Sequence, residues 1–196
     1  AQGVPILAHE DAAHELERLG GTILEGMRGY NRDKAEGTEV YLPDITFSDR
    51  YDASRGGTTI EVLHLGPAHS PGDLQVWLPE QGLVIAGDIA FHERMLPIFG
   101  EIPTRDWLET WEGPFEALGA TYVIPGHGHP TNMDQVRRYT RDYLVYLRAR
   151  IREHLDAGGD LTDAYYVDQT PYAHLDTYEE LATRNAGRVY EEMEWE

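Results

Sequence analysis

The chain is 196 residues long, enough to bury one sizeable core, and no Ser/Gly-rich or Pro-rich tract divides it. Its 35 acidic against 16 basic residues give a formal net charge of −19, which repels phosphate backbones and anionic membranes and argues against a nucleic-acid partner. Without cysteine there is no disulfide frame and no thiolate metal site, and the compartment is not legible from redox chemistry.

Lys34 is the sole lysine, so nearly all the positive charge is arginine, a pattern compatible with a GC-rich genome or a salt-adapted acidic surface. The opening residues, AQGVPILAHE, lack the charged and apolar regions of a signal peptide, and no apolar run is long enough to span a bilayer. No membrane partner is expected, and a cytoplasmic location is favoured.

The elements read as mixed α and β. Val4 to Ala8 is a short apolar strand, followed by a helix from Asp11 to Leu19 with Leu16 and Leu19 at helical spacing. After a polar connection, Asp44 to Arg50 and Thr58 to Leu65 have strand character. In the second, Ile60 and Val62 share one face and Glu61 and Leu63 the other. Leu74 to Leu78 and Leu83 to Ala86 form a hairpin across PEQG. Thr104 is placed to cap a helix through Leu118, with Trp107, Leu108, Trp111 and Phe115 on one side. Tyr122 to Ile124 is another short strand. Asp134 to Leu155 reads as one long helix with Val136, Tyr139, Tyr143, Leu147, Ile151 and Leu155 on one stripe, ending at Gly158 and Gly159. A last helix spans Tyr178 to Met193, and no repeat or low-complexity segment intervenes.

Three polar residues sit where this pattern leaves strand ends. His69 lies in the loop GPAHSPGD after the Thr58 strand, Asp88 ends LVIAGD, and His127 lies in VIPGHG. Residues beyond the ends of separate strands can converge from distant sequence into one pocket, and two imidazoles with a carboxylate suit zinc, manganese or iron. The surrounding glycines and prolines fit loops that aim a side chain inward at unusual backbone angles.

GPAHSPGD, then IAGD, then VIPGHG, in that order, resembles the second half of the metallo-β-lactamase superfamily of hydrolases over roughly Ala1 to Leu155. The resemblance implies an αββα sandwich of α+β class, a metal-binding domain over residues 1–158 and a helical C-terminal extension over 159–196. It implies that His69 binds a first metal, that Asp88 bridges two and serves catalysis, and that His127 binds the second. The cofactor it implies is zinc, one or two ions, with iron or manganese as alternatives. The metal pair of that family lowers the pKa of a shared water and polarises the substrate. The reaction implied is hydrolysis of a small ester, thioester or lactone. Two alternatives stand beside it: a non-catalytic binding module of the same fold, and a mononuclear iron thiol dioxygenase.

The family's H-x-H-x-D-H signature is absent from this sequence. His127-Gly-His129 offers only H-x-H, and His9 and His14 are wrongly spaced for one helical face. The expectation is therefore a polypeptide that begins inside the fold, with weak metal binding and an apolar sheet face around Ile60, Val62, Val76 and Leu78. Either an upstream half or a second copy of the chain would cover that face. His92, just after Asp88, is the candidate substrate contact. His64 reads as a strand residue with a hydrogen-bonded ring, Asp73 as a cap on the His69 loop, and His129 as a support for the site. The tyrosines of AYYVDQTPY read as packing, and EEMEWE as a solvated helix end.

Overall fold

The computed structural model of the protein describes residues 3–196. Ala1 and Gln2, which open the first expected domain, lie outside the described residues. A short parallel pair, β1 (Leu7–His9) and β2 (Ile45–Phe47), brackets helix α1 (Glu10–Asn31). The main sheet runs in the order β3 (Arg50–Arg55), β4 (Thr58–Leu63), β5 (Gln75–Leu78), β6 (Leu83–Phe91), β7 (Tyr122–His127). Its pairs are antiparallel except for parallel β6 and β7. A parallel pair needs a crossover connection, here the segment carrying α2 (Thr104–Thr110). The chain continues through α3 (Met133–Tyr139), α4 (Arg141–Asp156), a single turn α5 (Leu161–Ala164) and α6 (Tyr178–Met193). The α+β class expected from the sequence is observed. Among the described residues no helix is long and apolar enough to cross a membrane.

Several boundaries differ from those expected. The strand expected over 44–50 is two, because β2 pairs with β1 in the small sheet whereas β3 pairs with β4 in the main one, folded back on it through Gly56 and Gly57 at φ +59° and +84°. The helix expected to stop at Leu19 runs on to Asn31, although little of it is buried beyond Gly20. Thr104 is not the cap of α2; Pro103 is, and the Thr104 hydroxyl and amide instead meet the Glu192 carboxylate. The long helix breaks at Thr140, whose hydroxyl accepts from the Phe91 amide at 2.8 Å and donates to the Phe91 carbonyl at 3.2 Å. That hydroxyl completes backbone pairing at the end of β6, where the sheet no longer supplies a partner.

One face of the sheet is covered by the helices. Val84, Ala86 and Val123 are fully buried there against a core that includes Trp107, Trp111, Phe115, Tyr143, Leu147 and Ile151. The same core takes in Ala186, Val189 and Met193 of α6. On the other face the register sets Tyr51, Val62, Val76, Ile85 and Ile124 side by side across all five strands. This apolar row is half-uncovered, with Ile85 41% and neighbouring Tyr122 59% exposed.

A buried polar network fastens α6 to the sheet side of the molecule. The Asn185 amide oxygen accepts from the Ile98 N–H at 2.9 Å, and its nitrogen donates to the Leu96 carbonyl at 2.7 Å and the Tyr143 hydroxyl at 3.0 Å. Tyr143 in turn donates to Gln169 at 2.8 Å, and Gln169 donates to the Ala182 carbonyl at 2.8 Å. Burial pushes the Tyr143 hydroxyl well above its ordinary range, so it acts only as a neutral hydrogen-bonding group.

Candidate functional site

The loop from Leu63 to Gln75 leaves and re-enters the sheet at paired residues, so its ends are fixed by the β4–β5 ladder. Asp73 sets its interior: one carboxylate oxygen accepts from the His69 amide at 2.7 Å and the other from the Ser70 hydroxyl. Asp73 is thus the loop cap the sequence suggested. Gly72 is required because a Cβ there would stand 2.5 Å from the Ala12 amide nitrogen of α1. His64 Nδ1 donates to the Asp73 carbonyl at 2.9 Å, and its ring stacks on His9 at 3.8 Å. His64 lies one residue beyond the end of β4 rather than within a strand, but its ring is hydrogen-bonded as the sequence suggested, and it braces the loop.

Asp88 lies within β6 rather than at its end. Gly87, at φ +64°, interrupts the β6–β7 register on both sides, and this irregularity re-aims Asp88 beside the last residues of β7. Gly126 makes room for it. A Cβ at Gly126 would overlap Asp88 Oδ1 and stand 2.8 Å from the Gly87 carbonyl carbon. Gly126→Ala is therefore expected to displace the carboxylate and, where Asp88 holds a divalent ion, to weaken that ion's binding by about 10- to 100-fold, the usual cost of disturbing a ligand's supports. Calorimetric zinc titration of the variant checks this, and unchanged affinity would exclude a positioning role for Gly126.

The three residues converge. His69 Nε2 is 3.7 Å from Asp88 Oδ2, and His127 Nε2 is 3.8 Å from Asp88 Oδ1. Each imidazole therefore faces a different oxygen of one carboxylate, at separations too long for direct hydrogen bonds. Aromatic rings shape the pocket wall: Phe91, Phe99 and Trp107 lie 5.9, 5.1 and 5.7 Å from the His69 ring, and Phe91 stacks on His127 at 5.1 Å. Burial among them holds the His69 pKa below its ordinary value, against the opposing pull of Asp88 and Asp73. A neutral imidazole is the form that offers a lone pair to a metal. His69 Nδ1 is buried and has no partner among the described residues.

The donor chemistry suits a hard or borderline divalent ion. Metal–nitrogen and metal–oxygen bonds of roughly 2.0 to 2.2 Å sum to slightly more than each observed gap, so an ion in either gap would touch both its neighbours. Among the described residues no three His, Cys, Asp or Glu side chains surround a single point. The residues fit as one wall of a two-position site sharing Asp88, and not as a closed cage.

His92 and His129 stand apart from this wall. The Nδ1 of His92 pairs with the His129 carbonyl at 2.9 Å and its ring packs edge-on against Tyr139 at 5.0 Å. His129 is exposed and pairs with the Glu93 carboxylate at 2.6 Å, which raises the His129 pKa and lowers that of Glu93. Phe99, which reaches the His69 ring from the loop after β6, was not singled out by sequence reasoning. Its only signal was an aromatic residue in the Pro- and Gly-containing stretch LPIFGEIP.

The chain is 27% identical over 119 residues to metallo-beta-lactamase type 2 of Bacteroides fragilis, covering 56% of this chain and 47% of that one. It is 23% identical over 173 residues to the beta-lactamase-like protein 2 homolog of Caenorhabditis elegans, covering 86% and 55%. The chain thus spans about half the length of the curated relatives it matches. In fold it is similar to the stereoselective inverting sec-alkylsulfatase Pisa1 of a Pseudomonas species, with a TM-score of 0.68 at 19% identity over 97% of this chain and 36% of that one. That likeness takes in the C-terminal helices as well as the sheet. Residues 1–142 match the sequence model of the metallo-beta-lactamase superfamily, and the chain belongs to that superfamily.

Proposed function

We propose that His69, Asp88 and His127 form one wall of a zinc-dependent hydrolase site acting on a small ester, thioester or lactone. The observation that carries this reading is the placement of two imidazole Nε2 atoms against opposite oxygens of one carboxylate. Zinc, when bound, would polarise the substrate carbonyl and make water nucleophilic near neutral pH. The chain's own residues do the rest. Asp88 keeps the two positions in register, its orientation fixed by the Gly87 irregularity and the space at Gly126. The Asp73-capped loop and the aromatic rings hold His69 neutral and in place. Asp88 and His127 remain partly open to solvent, which leaves the approach for substrate, with His92 on the His127 side.

The remaining ligands are proposed to lie on a second sheet that packs on the apolar row running from Tyr51 to Ile124, as in a two-sheet sandwich. The chain by itself is then expected to self-associate through that face, giving a sedimentation coefficient that rises with concentration. A monodisperse monomer at high micromolar concentration would contradict the need for a cover.

The function is tested by elemental mass spectrometry of the protein together with hydrolysis of an ester, thioester and lactone panel before and after chelation. Zinc content with chelator-sensitive hydrolysis supports the reading. Zinc-independent turnover, or zinc with no turnover of any panel member, overturns it.

A further inference from the structure

From the geometry we infer that Phe99 is the wall against which the apolar part of the substrate packs, and that α6 exists in this fold to hold that wall in place. The inference rests on the hydrolase reading and names the substrate class within it: esters or thioesters with an extended apolar acyl group.

Of the three aromatic rings around His69, Phe91 and Trp107 are buried, whereas Phe99 is 48% exposed with its ring 5.1 Å from that of His69. Its ring stands at the rim of the polar centre, half in water beside His69, where an apolar group of a bound substrate can pack on it. Its neighbours before it in the chain, Met95, Leu96 and Ile98, are all buried and cannot follow it outward.

The loop that carries Phe99 is an arch fixed at both feet to one face of α6. At the first foot, Asn185 takes the Ile98 amide and the Leu96 carbonyl. At the second, the Glu192 carboxylate accepts from the Thr104 amide at 2.9 Å and its hydroxyl at 2.8 Å, and is itself held by Arg148 at 2.6 Å. Residues seven apart on a helix share a face and lie roughly 10 Å from one another along its axis. Beneath the arch, between loop and helix, is a cavity of about 330 Å³ lined by Phe99, Ile102, Arg188 and Glu191 among others. With space rather than packed side chains underneath, the position of Phe99 depends on the two feet. The helical C-terminal segment therefore acts on the site through the arch, without contributing a group to the chemistry.

The test is the chain-length dependence of hydrolysis by the zinc-loaded protein, with p-nitrophenyl acetate, butyrate, hexanoate and octanoate as probes. One fully buried methylene is worth roughly fourfold in binding, so kcat/KM is expected to rise at least about tenfold from acetate to octanoate by contact with one ring face. Phe99→Ala should erase most of that preference through KM, as loss of binding shared by ground and transition states does. Asn185→Ala should blur the preference in the same way, and Glu192→Ala replaces it if Asn185→Ala fails to fold. Binding of butanoate, hexanoate and octanoate, followed by tryptophan fluorescence, reads the same wall without turnover. Absence of hydrolysis on every ester would overturn the hydrolase reading alone, since carboxylate binding still decides the role of Phe99. A preference that Phe99→Ala leaves intact in both assays overturns the present inference.

Discussion

Replacing Asp88 with alanine is expected to reduce the proposed zinc-dependent hydrolysis by about a thousandfold or more, because it removes the carboxylate that faces both imidazoles. Several kcal/mol of transition-state stabilisation are at stake in such a site, and each 1.36 kcal/mol is tenfold in rate. The loss should fall mainly on kcat, and bound zinc should drop in parallel. Thermal stability should hold, since among the described residues the Asp88 carboxylate makes no hydrogen bond, and it stands partly exposed. Asp88→Asn is the sharper comparison: it preserves shape but removes the charge that balances a divalent ion, so zinc loss should nearly match that of alanine. Elemental analysis with steady-state kinetics on both variants measures this. Retention of zinc and of more than a tenth of the rate by Asp88→Ala would exclude a bridging role.

The second large effect concerns stability. Asn185 is 1% exposed and satisfies the Ile98 amide, the Leu96 carbonyl and the Tyr143 hydroxyl at once. Asn185→Ala leaves these buried groups without that partner, each at a cost of about 1 to 3 kcal/mol in the absence of a substitute. A total loss of about 3 kcal/mol is expected, which for a chain of this size lowers the melting temperature by roughly 6 to 12 °C. Urea denaturation should show a lower midpoint with an unchanged slope. A loss below about 1 kcal/mol would mean that water replaces the amide, and that α6 is not fastened through this residue.

What the sequence made legible and what it hid divide along physical lines. The helix stripe of Val136, Tyr143, Leu147 and Ile151 was readable because periodic burial is a local property, and these residues are buried. The break at Thr140 was not, because it depends on the Phe91 backbone 49 residues away. His69, Asp88 and His127 stood out from glycine- and proline-bounded motifs, and the structure shows why those glycines matter. Gly126 and Gly72 are places where another group comes too close for a Cβ. Asp73 was legible as a cap because it acts four residues from its target. Phe99 was not legible, since its meaning comes from an arch suspended between Asn185 and Glu192, whose partners lie 87 and 88 residues away. The apolar face was anticipated from alternation in β4 and β5, and the register extends it through Tyr51, Ile85 and Ile124.

Asp88 is proposed to join two metal positions, one shared with His69 and one with His127. Anomalous diffraction at the zinc edge from crystals grown with zinc tests it most directly. The result expected is density within about 2.0 to 2.2 Å of an Asp88 oxygen and of His69 Nε2, His127 Nε2 or both. Zinc bound elsewhere on the acidic surface, with these three side chains free of it, would contradict the claim.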